Sequence, residues 1–435
     1  MSISDIKTIR RVLTYLTWII LASFFLAFIN CGAISEVKRQ PNKTVTKIQP
    51  KIKLGIDVLK ENKFSILKGK RVGLITNPSG VDSRGRSTLE ILFAEKSLKL
   101  VALFCAEHGL DGKTPAGKEI ANYVDQKTGL PVFSLYGPGP IRKPTLGMLR
   151  NIDVLVYDIQ DTGCRSYTFI STMGLAMEAC AEADVEFVVL DRPNPLGGVR
   201  IEGPLPKPNF RSFVSQWDIP YVYGLTCGEL ALMINNEGWI KKPCKLKVVK
   251  MQGWKRTMVW KDTGLRWIPT SPNIPYGHSP MYYVSTGILG SLGALNIGIG
   301  TAHPFEVVGA SWLKSTNLAT RLNQLQLNGI KFYPTRFYNG SNYIPGIRFE
   351  FLDPVKAPLM PLNFYIMESI NKLHNRNLYL EALNSNKNFS LFDKIMGSDE
   401  IRSELSKNVL ASQIVKSWKQ DEDKFRVKRQ KYLLY

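Results

Sequence analysis

The sequence predicts an α/β protein: a parallel sheet crossed by helices in its first half, followed by an α+β domain. Three observations lead there. Short apolar runs, Leu100-Val101-Ala102-Leu103-Phe104, Val154-Leu155-Val156-Tyr157 and Phe187-Val188-Val189-Leu190, are each closed by polar, Gly or Pro residues. That is the pattern of strands buried on both faces. Helix-period stretches lie between them, and such alternation gives parallel neighbours joined by right-handed crossovers. The runs end in polar knots: Ala106-Glu107-His108-Gly109, Asp158-Ile159-Gln160-Asp161-Thr162-Gly163 and Asp191-Arg192-Pro193-Asn194-Pro195. Ligands of open α/β sheets bind beyond the carboxyl ends of the strands, so the knots form a candidate active site.

At the N-terminus, Lys7, Arg10 and Arg11 precede an apolar run from Val12 to Ile29. A positive segment followed by an apolar core is a secretory signal. The run ends at Asn30-Cys31-Gly32, and Cys31 resembles the end of a bacterial lipobox, where the cysteine is diacylated and becomes the new N-terminus. An uncleaved membrane anchor is the competing reading of residues 1–31. Both place the body of the protein in the cell envelope, exported and tethered to a membrane. Residues 32–52 carry five basic side chains, Lys38, Arg39, Lys43, Lys47 and Lys51, with Pro41 and Pro50, and read as a basic tether.

The folded body is expected to divide into a parallel-sheet domain over 53–240 and an α+β domain over 241–435. A helix over 55–62 opens the first, then a strand over 71–76 and a turn at Asn77-Pro78-Ser79-Gly80. Ser87 is placed to cap a helix over 88–95, since its hydroxyl can accept an orphan amide there. A helix over 168–183 puts Met173, Ala176, Met177 and Cys180 on one face, as core rather than as a cofactor box. Past Gly238 the rhythm changes. The Pro-rich stretch Ile268-Pro269-Thr270-Ser271-Pro272-Asn273-Ile274-Pro275 is neither helix nor central strand. A strand over 346–351 and helices over 362–374 and 398–418 complete the second domain.

Charge and cysteines restrict the function classes. The chain has 435 residues, 44% of them hydrophobic, and a net charge of +21. Losing residues 1–30, which hold three basic and one acidic residue, leaves +19. Such charge attracts polyanions. Without a basic helix, zinc site or RNP-like motif, nucleic acid is not the expected partner; anionic envelope surfaces and acidic glycans suit the charge equally. Beyond Cys31 stand Cys105, Cys164, Cys180, Cys227 and Cys244. They are odd in number and contain no CxxC, which argues against a disulfide framework or zinc site. No cofactor is expected: there is no G-x-G-x-x-G after the first strand, no Walker loop and no G-x-S-x-G elbow.

Glu107, at a strand end, can serve as general acid, base or nucleophile, or pair structurally with an arginine. Asp158 and Asp161 lie three apart across a turn, so both can face one cleft. Together these carboxylates suit glycoside hydrolysis or, with His108, a divalent cation. Asp191 and Asn194 belong to a Pro-fixed turn, while Arg165 and Arg192 either pair with carboxylates or clamp a substrate carboxylate. Tyr167 and Asn273 offer hydrogen bonds or ring stacking to a sugar.

The knots, with Arg165, Tyr167 and Thr168, then Gly224-Leu225-Thr226, Gly228-Glu229-Leu230-Ala231 and Ser271-Pro272-Asn273, occur in an order that resembles the exo-β-N-acetylmuramidase (NamZ) family of peptidoglycan hydrolases. The resemblance covers about residues 53–435, including the close Tyr432-Leu433-Leu434-Tyr435. It implies a Rossmann-like N-terminal domain, a C-terminal domain and a cleft between them. It also implies exo-hydrolysis of non-reducing terminal β-1,4-linked N-acetylmuramic acid from cell-wall fragments or muropeptides. Glu107 takes the catalytic position, Asp158 or Asp161 the second carboxylate, and Arg165 or Arg192 the lactyl carboxylate. One stretch departs from the pattern. Where the family carries a loop resembling E-G-T-N-x-S-E-G-R-G-T before P-F-E, this chain has 291–301, with Ser291 and Ile297 at acidic positions and Ile299 at an arginine. If that loop lines the cleft, specificity changes or catalysis is lost. The alternative function is then a non-catalytic peptidoglycan-binding envelope lipoprotein.

Overall fold

A computed structural model describes residues 52–138, 142–385 and 389–435. The expected signal, Cys31 and all but the last residue of the basic tether lie outside them. Seven strands form one sheet in the order β3-β4-β2-β1-β5-β6-β7. They are β1 (Arg71–Thr76), β2 (Lys99–Cys105), β3 (Tyr123–Val124), β4 (Pro131–Ser134), β5 (Val154–Asp158), β6 (Glu186–Leu190) and β7 (Leu246–Val249). All neighbours are parallel except β3 against β4. Setting the short β3 aside, the order is that of the doubly wound dinucleotide-binding sheet, with its reversal between β1 and β5.

The apolar runs are continuous because both faces are covered. Val72, Leu74, Val154, Val156, Val188 and Leu190 point into one core with Ile56 and Leu59 of the Gly55–Glu61 helix. Ile75, Leu155, Tyr157 and Val189 point the other way, against Met173, Ala176, Met177 and Cys180 of the Phe169–Ala183 helix. Alternation of side chains along a strand produces this split. All five described cysteines are free and buried.

The rest is a three-stranded antiparallel sheet, β8 (Val307–Gly309), β10 (Tyr343–Phe351) and β9 (Ile330–Tyr338), with helices around it. The chief ones are Ser279–Leu292 and Met360–His374.

Three expectations need correction. β7 pairs with β6, so the parallel sheet runs past residue 240. Ser87 stands at the start of the Thr88–Ala94 helix but makes no side-chain cap bond; its amide neighbours are satisfied otherwise, Thr88 N donating to Gly80 O at 2.8 Å. The single helix expected over 398–418 is two, Glu400–Ser406 and Ala411–Ser417. Asn408 breaks it with a φ of 54°, the left-handed region that asparagine tolerates better than most residues.

The C-terminus locks onto the end of the sheet. Tyr435 donates its hydroxyl to Asp191 Oδ2 at 2.7 Å and accepts Met251 N at 2.9 Å. Leu434 N donates to Glu229 Oε1 at 2.8 Å. Glu229 in turn forms a reciprocal cap with Thr226 on the Cys227–Asn236 helix. Replacing Tyr435 by Phe leaves two buried groups short of a partner. Urea unfolding of Tyr435→Phe is expected to show a loss of about 1–3 kcal/mol; an unchanged midpoint would refute the lock.

Candidate active site

The strand-end carboxylates divide into two kinds. Asp158, closing β5, is fully buried. It accepts Arg192 Nε at 2.5 Å and Nη2 at 2.9 Å, and Thr88 Oγ1 at 2.5 Å. Arg192 also reaches Val81 O at 2.7 Å. Asp191 accepts Thr226 Oγ1, Gly228 N and Arg192 N at 2.7, 2.8 and 3.0 Å, besides Tyr435. Asp161 accepts Gly163 N at 2.7 Å and the Tyr223 hydroxyl. Gly163 turns there with φ 79°, and a Cβ on it would sit 2.3 Å from Asn194 Oδ1. Asn194 itself caps its own turn through Leu196 N and donates to Leu225 O, both at 2.9 Å. None of these five residues lines the cavity described next. Their partners show them holding the sheet's carboxyl edge together, which corrects their expected places in catalysis and substrate binding.

Arg165 is corrected likewise. It is 1% exposed, and its four guanidinium hydrogen bonds go to the carbonyls of Pro204, Ile219, Ile395 and Met396 at 2.6–3.0 Å. Burial lowers its pKa to about 10. A guanidinium with every Nη donor spent on backbone does not receive a substrate carboxylate. Instead it fastens the end of the Ser390–Met396 helix to the first half of the chain.

Glu107 is different. It follows β2 at the rim of a cavity of about 630 Å³. Its Oε2 accepts Thr168 Oγ1 at 2.6 Å, and its Oε1 accepts Gly117 N at 2.9 Å. These two donors fix the carboxylate's orientation while its edge meets the cavity. His108 turns the chain in the left-handed region (φ 72°), its Nδ1 2.7 Å from Thr114 O. It lines the cavity, while the two aspartates grouped with it for a cation do not. Tyr167 also lines it, its hydroxyl 2.8 Å from Thr270 Oγ1 and its ring edge-on to Phe169 and Tyr283. Asn273, from the Pro-rich loop, completes the expected set that does converge.

Other lining residues were not anticipated. Tyr136, just beyond β4, is pushed up to about 12 by burial and then by the charge of nearby Glu107. Arg142 stacks on its ring, the guanidinium carbon 4.2 Å from the centroid. Phe213 and Tyr283 add rings, and Lys394 a cation at the mouth. The signal for Tyr136 was present: Pro131-Val132-Phe133-Ser134-Leu135 is another apolar run closed by a polar and Gly/Pro knot. Among the described residues lining the cavity, Glu107 is the only carboxylate.

The divergent loop reaches this cavity at one point. Ser291 bonds Ile288 O at 2.6 Å within its helix, and Ile297 is buried. Ile299 lines the cavity and is 51% exposed. Of the three altered positions, only 299 bears on what the site accepts.

A parallel sheet with one oriented carboxylate over a ring-lined, sugar-sized cavity, closed by the C-terminal half, suits a glycosidase. Residues 72–278 match the family profile "Exo-beta-N-acetylmuramidase NamZ, N-terminal", and 281–435 match its C-terminal counterpart. The chain belongs to this family. It is 39% identical over 419 residues to the peptidoglycan beta-N-acetylmuramidase NamZ of Bacillus subtilis, covering 95% of this chain and 99% of that one. Two crystal structures of DUF1343 family proteins from Bacteroides fragilis share the fold. One is 48% identical with a TM-score of 0.83, covering 89% of this chain and all of the other. The second is 30% identical with a TM-score of 0.65, covering 88% and 99%.

Burial raises Asp161 and Asp191 to about 6, against the hydrogen bonds they accept. Among the described residues Asp161 Oδ1 has no hydrogen-bond partner, which suits a carboxyl that keeps its proton. Each group holds a proton when folded at pH values where the unfolded chain, near pKa 3.9, has released it. This contribution is complete below about pH 4 and is lost as pH rises through about 6. Asp161→Asn should therefore flatten the fall in urea-unfolding free energy between pH 4.5 and 7.5, by at most about 3 kcal/mol. Parallel pH curves for the two proteins would contradict the assignment.

Proposed function

We propose that the protein is an exo-acting glycosidase that removes non-reducing terminal β-1,4-linked N-acetylmuramic acid from peptidoglycan fragments, with Glu107 as its acid and base. Glu107 carries the reading: it is held by Thr168 and Gly117 against a cavity of tyrosines and cations. Family membership over both halves of the chain supports the substrate.

A glycosidase normally needs two carboxylates, but some use the substrate's own 2-acetamido group as the second. The single lining carboxylate favours that course. The acetamido carbonyl oxygen attacks the anomeric carbon as Glu107 gives its proton to the departing glycosidic oxygen, breaking the C–O bond. A cyclic oxazolinium ion forms. Glu107, now a carboxylate, takes a proton from water, and that water's oxygen opens the ring at the same carbon. Two displacements leave the configuration unchanged. Arg142, positioned on Tyr136 beside Glu107, supplies the charge that suits the lactyl carboxylate.

With the natural disaccharide of N-acetylmuramic acid and N-acetylglucosamine, Glu107→Gln should lower kcat by roughly 10²–10⁴-fold. The first product anomer seen by NMR should be β. Undiminished turnover would remove Glu107 from the mechanism, and a first-formed α anomer would remove the acetamido route.

The sequence features of 1–31 support an envelope location with Cys31 lipidated, the basic tether holding the enzyme near an anionic surface. Cys31→Ser should move the protein from the membrane fraction to the soluble fraction of an expressing bacterium. Continued membrane association would favour the uncleaved anchor.

A further inference from the structure

A second cavity, of about 800 Å³, lies behind the wall of the first. The two share no lining residue but use alternate neighbours of the same segments. Tyr283 and Phe305 face the Glu107 cavity, while Tyr282 and Glu306 face the second. The floor of the second is aromatic: Tyr282 packs on Phe349 at 5.1 Å and on Phe351 at 4.9 Å. Its volume and apolar lining are those of a ligand site rather than a packing gap.

The charges at its rim do not balance. Glu306 is taken up by two imidazoles, His278 Nε2 at 2.9 Å and His303 Nδ1 at 3.3 Å. Glu350 is paired with Arg348. Lys261 and Arg336 remain, both exposed at the cavity. Arg336 donates one bond to Tyr343 O at 3.1 Å, and neither residue has a carboxylate partner among the described residues. Two unneutralised cations over an aromatic floor complement a ligand with a carboxylate and a ring face.

We propose that this cavity is a second, non-catalytic binding site for a carboxylate-bearing saccharide–peptide fragment of the wall, held by Lys261 and Arg336 over the Tyr282 ring. The identity of the ligand rests on the proposed substrate; the site itself does not. Because it shares no lining residue with the Glu107 cavity, it binds a fragment other than the one being cleaved and keeps the enzyme on its polymer.

Calorimetric titration of the full-length Glu107→Gln chain with a soluble disaccharide–tetrapeptide tests this. Two binding events per chain are expected. Adding Lys261→Ala and Arg336→Ala should weaken one of them at least about tenfold, the effect of losing a charge-assisted hydrogen bond. The charge-preserving pair Lys261→Arg and Arg336→Lys should retain it. Chitotetraose, which has no carboxylate, should give no second event. A single event in the parent, two unchanged events in the double alanine variant, or an equal second event with chitotetraose would overturn the proposal. Disaccharide hydrolysis by the chain with native Glu107 should stay within about twofold in the double alanine variant, since surface charges remote from chemistry contribute little to it. Failure of the unaltered enzyme in that assay would count against the proposed function, separately from the binding result.

Discussion

The ion pair between Asp158 and Arg192 sets the geometry at the carboxyl edge of the sheet. Both side chains are within 3% of full burial, and the several kcal/mol per ion that leaving water costs is offset only where the partners are complete. They are complete here. Two guanidinium nitrogens and the Thr88 hydroxyl serve the carboxylate, and Val81 O takes the remaining reach of the arginine. The pair therefore ties together segments following β1, β5 and β6. Asp191 does the same for the Cys227–Asn236 helix and the chain's last residue.

That arrangement explains why the sheet's reversal between β1 and β5, where doubly wound folds usually hold a ligand, is filled with structural polar groups. The carboxylate that lines a cavity stands one strand outward, at the end of β2. Glu107 there receives two donors, enough to orient it while leaving it at a cavity rim. Part of the wall comes from the second half of the chain: Asn273 and Ile274, Tyr283, Ile299, Phe305 and the Ser390–Met396 helix. Arg165 makes this wall dependable, since it binds the carbonyls at that helix's end to the first half. A residue that reads as a substrate clamp thus acts through the position of others.

The divergence of the 291–301 loop also shrinks when seen in place. Two altered side chains serve the helix end and the core, and one, Ile299, meets the cavity. An apolar group stands at that point, while Arg142 and Lys394 place positive charge elsewhere on the cavity wall.

Much of the fold was legible because burial on both faces forces continuous apolar runs: β2, β5 and β6 begin and end within a residue or so of those runs. Family membership was likewise legible in the order of the polar knots. The strand order was not, because parallel pairing is long-range and leaves no local mark. Nor was the break at Asn408, where a single left-handed residue interrupts a helical period. At the site, Glu107, His108, Tyr167 and Asn273 converge as their positions suggested, while Asp158, Asp161, Asp191, Arg165, Arg192 and Asn194 are turned inward. A carboxylate at a strand end looks the same in sequence whether it faces solvent or a buried guanidinium. By itself the sequence determined which residues could be charged at the sheet edge. Tertiary structure alone decided which charges are neutralised by burial and pairing, and which carboxylate is left lining a cavity.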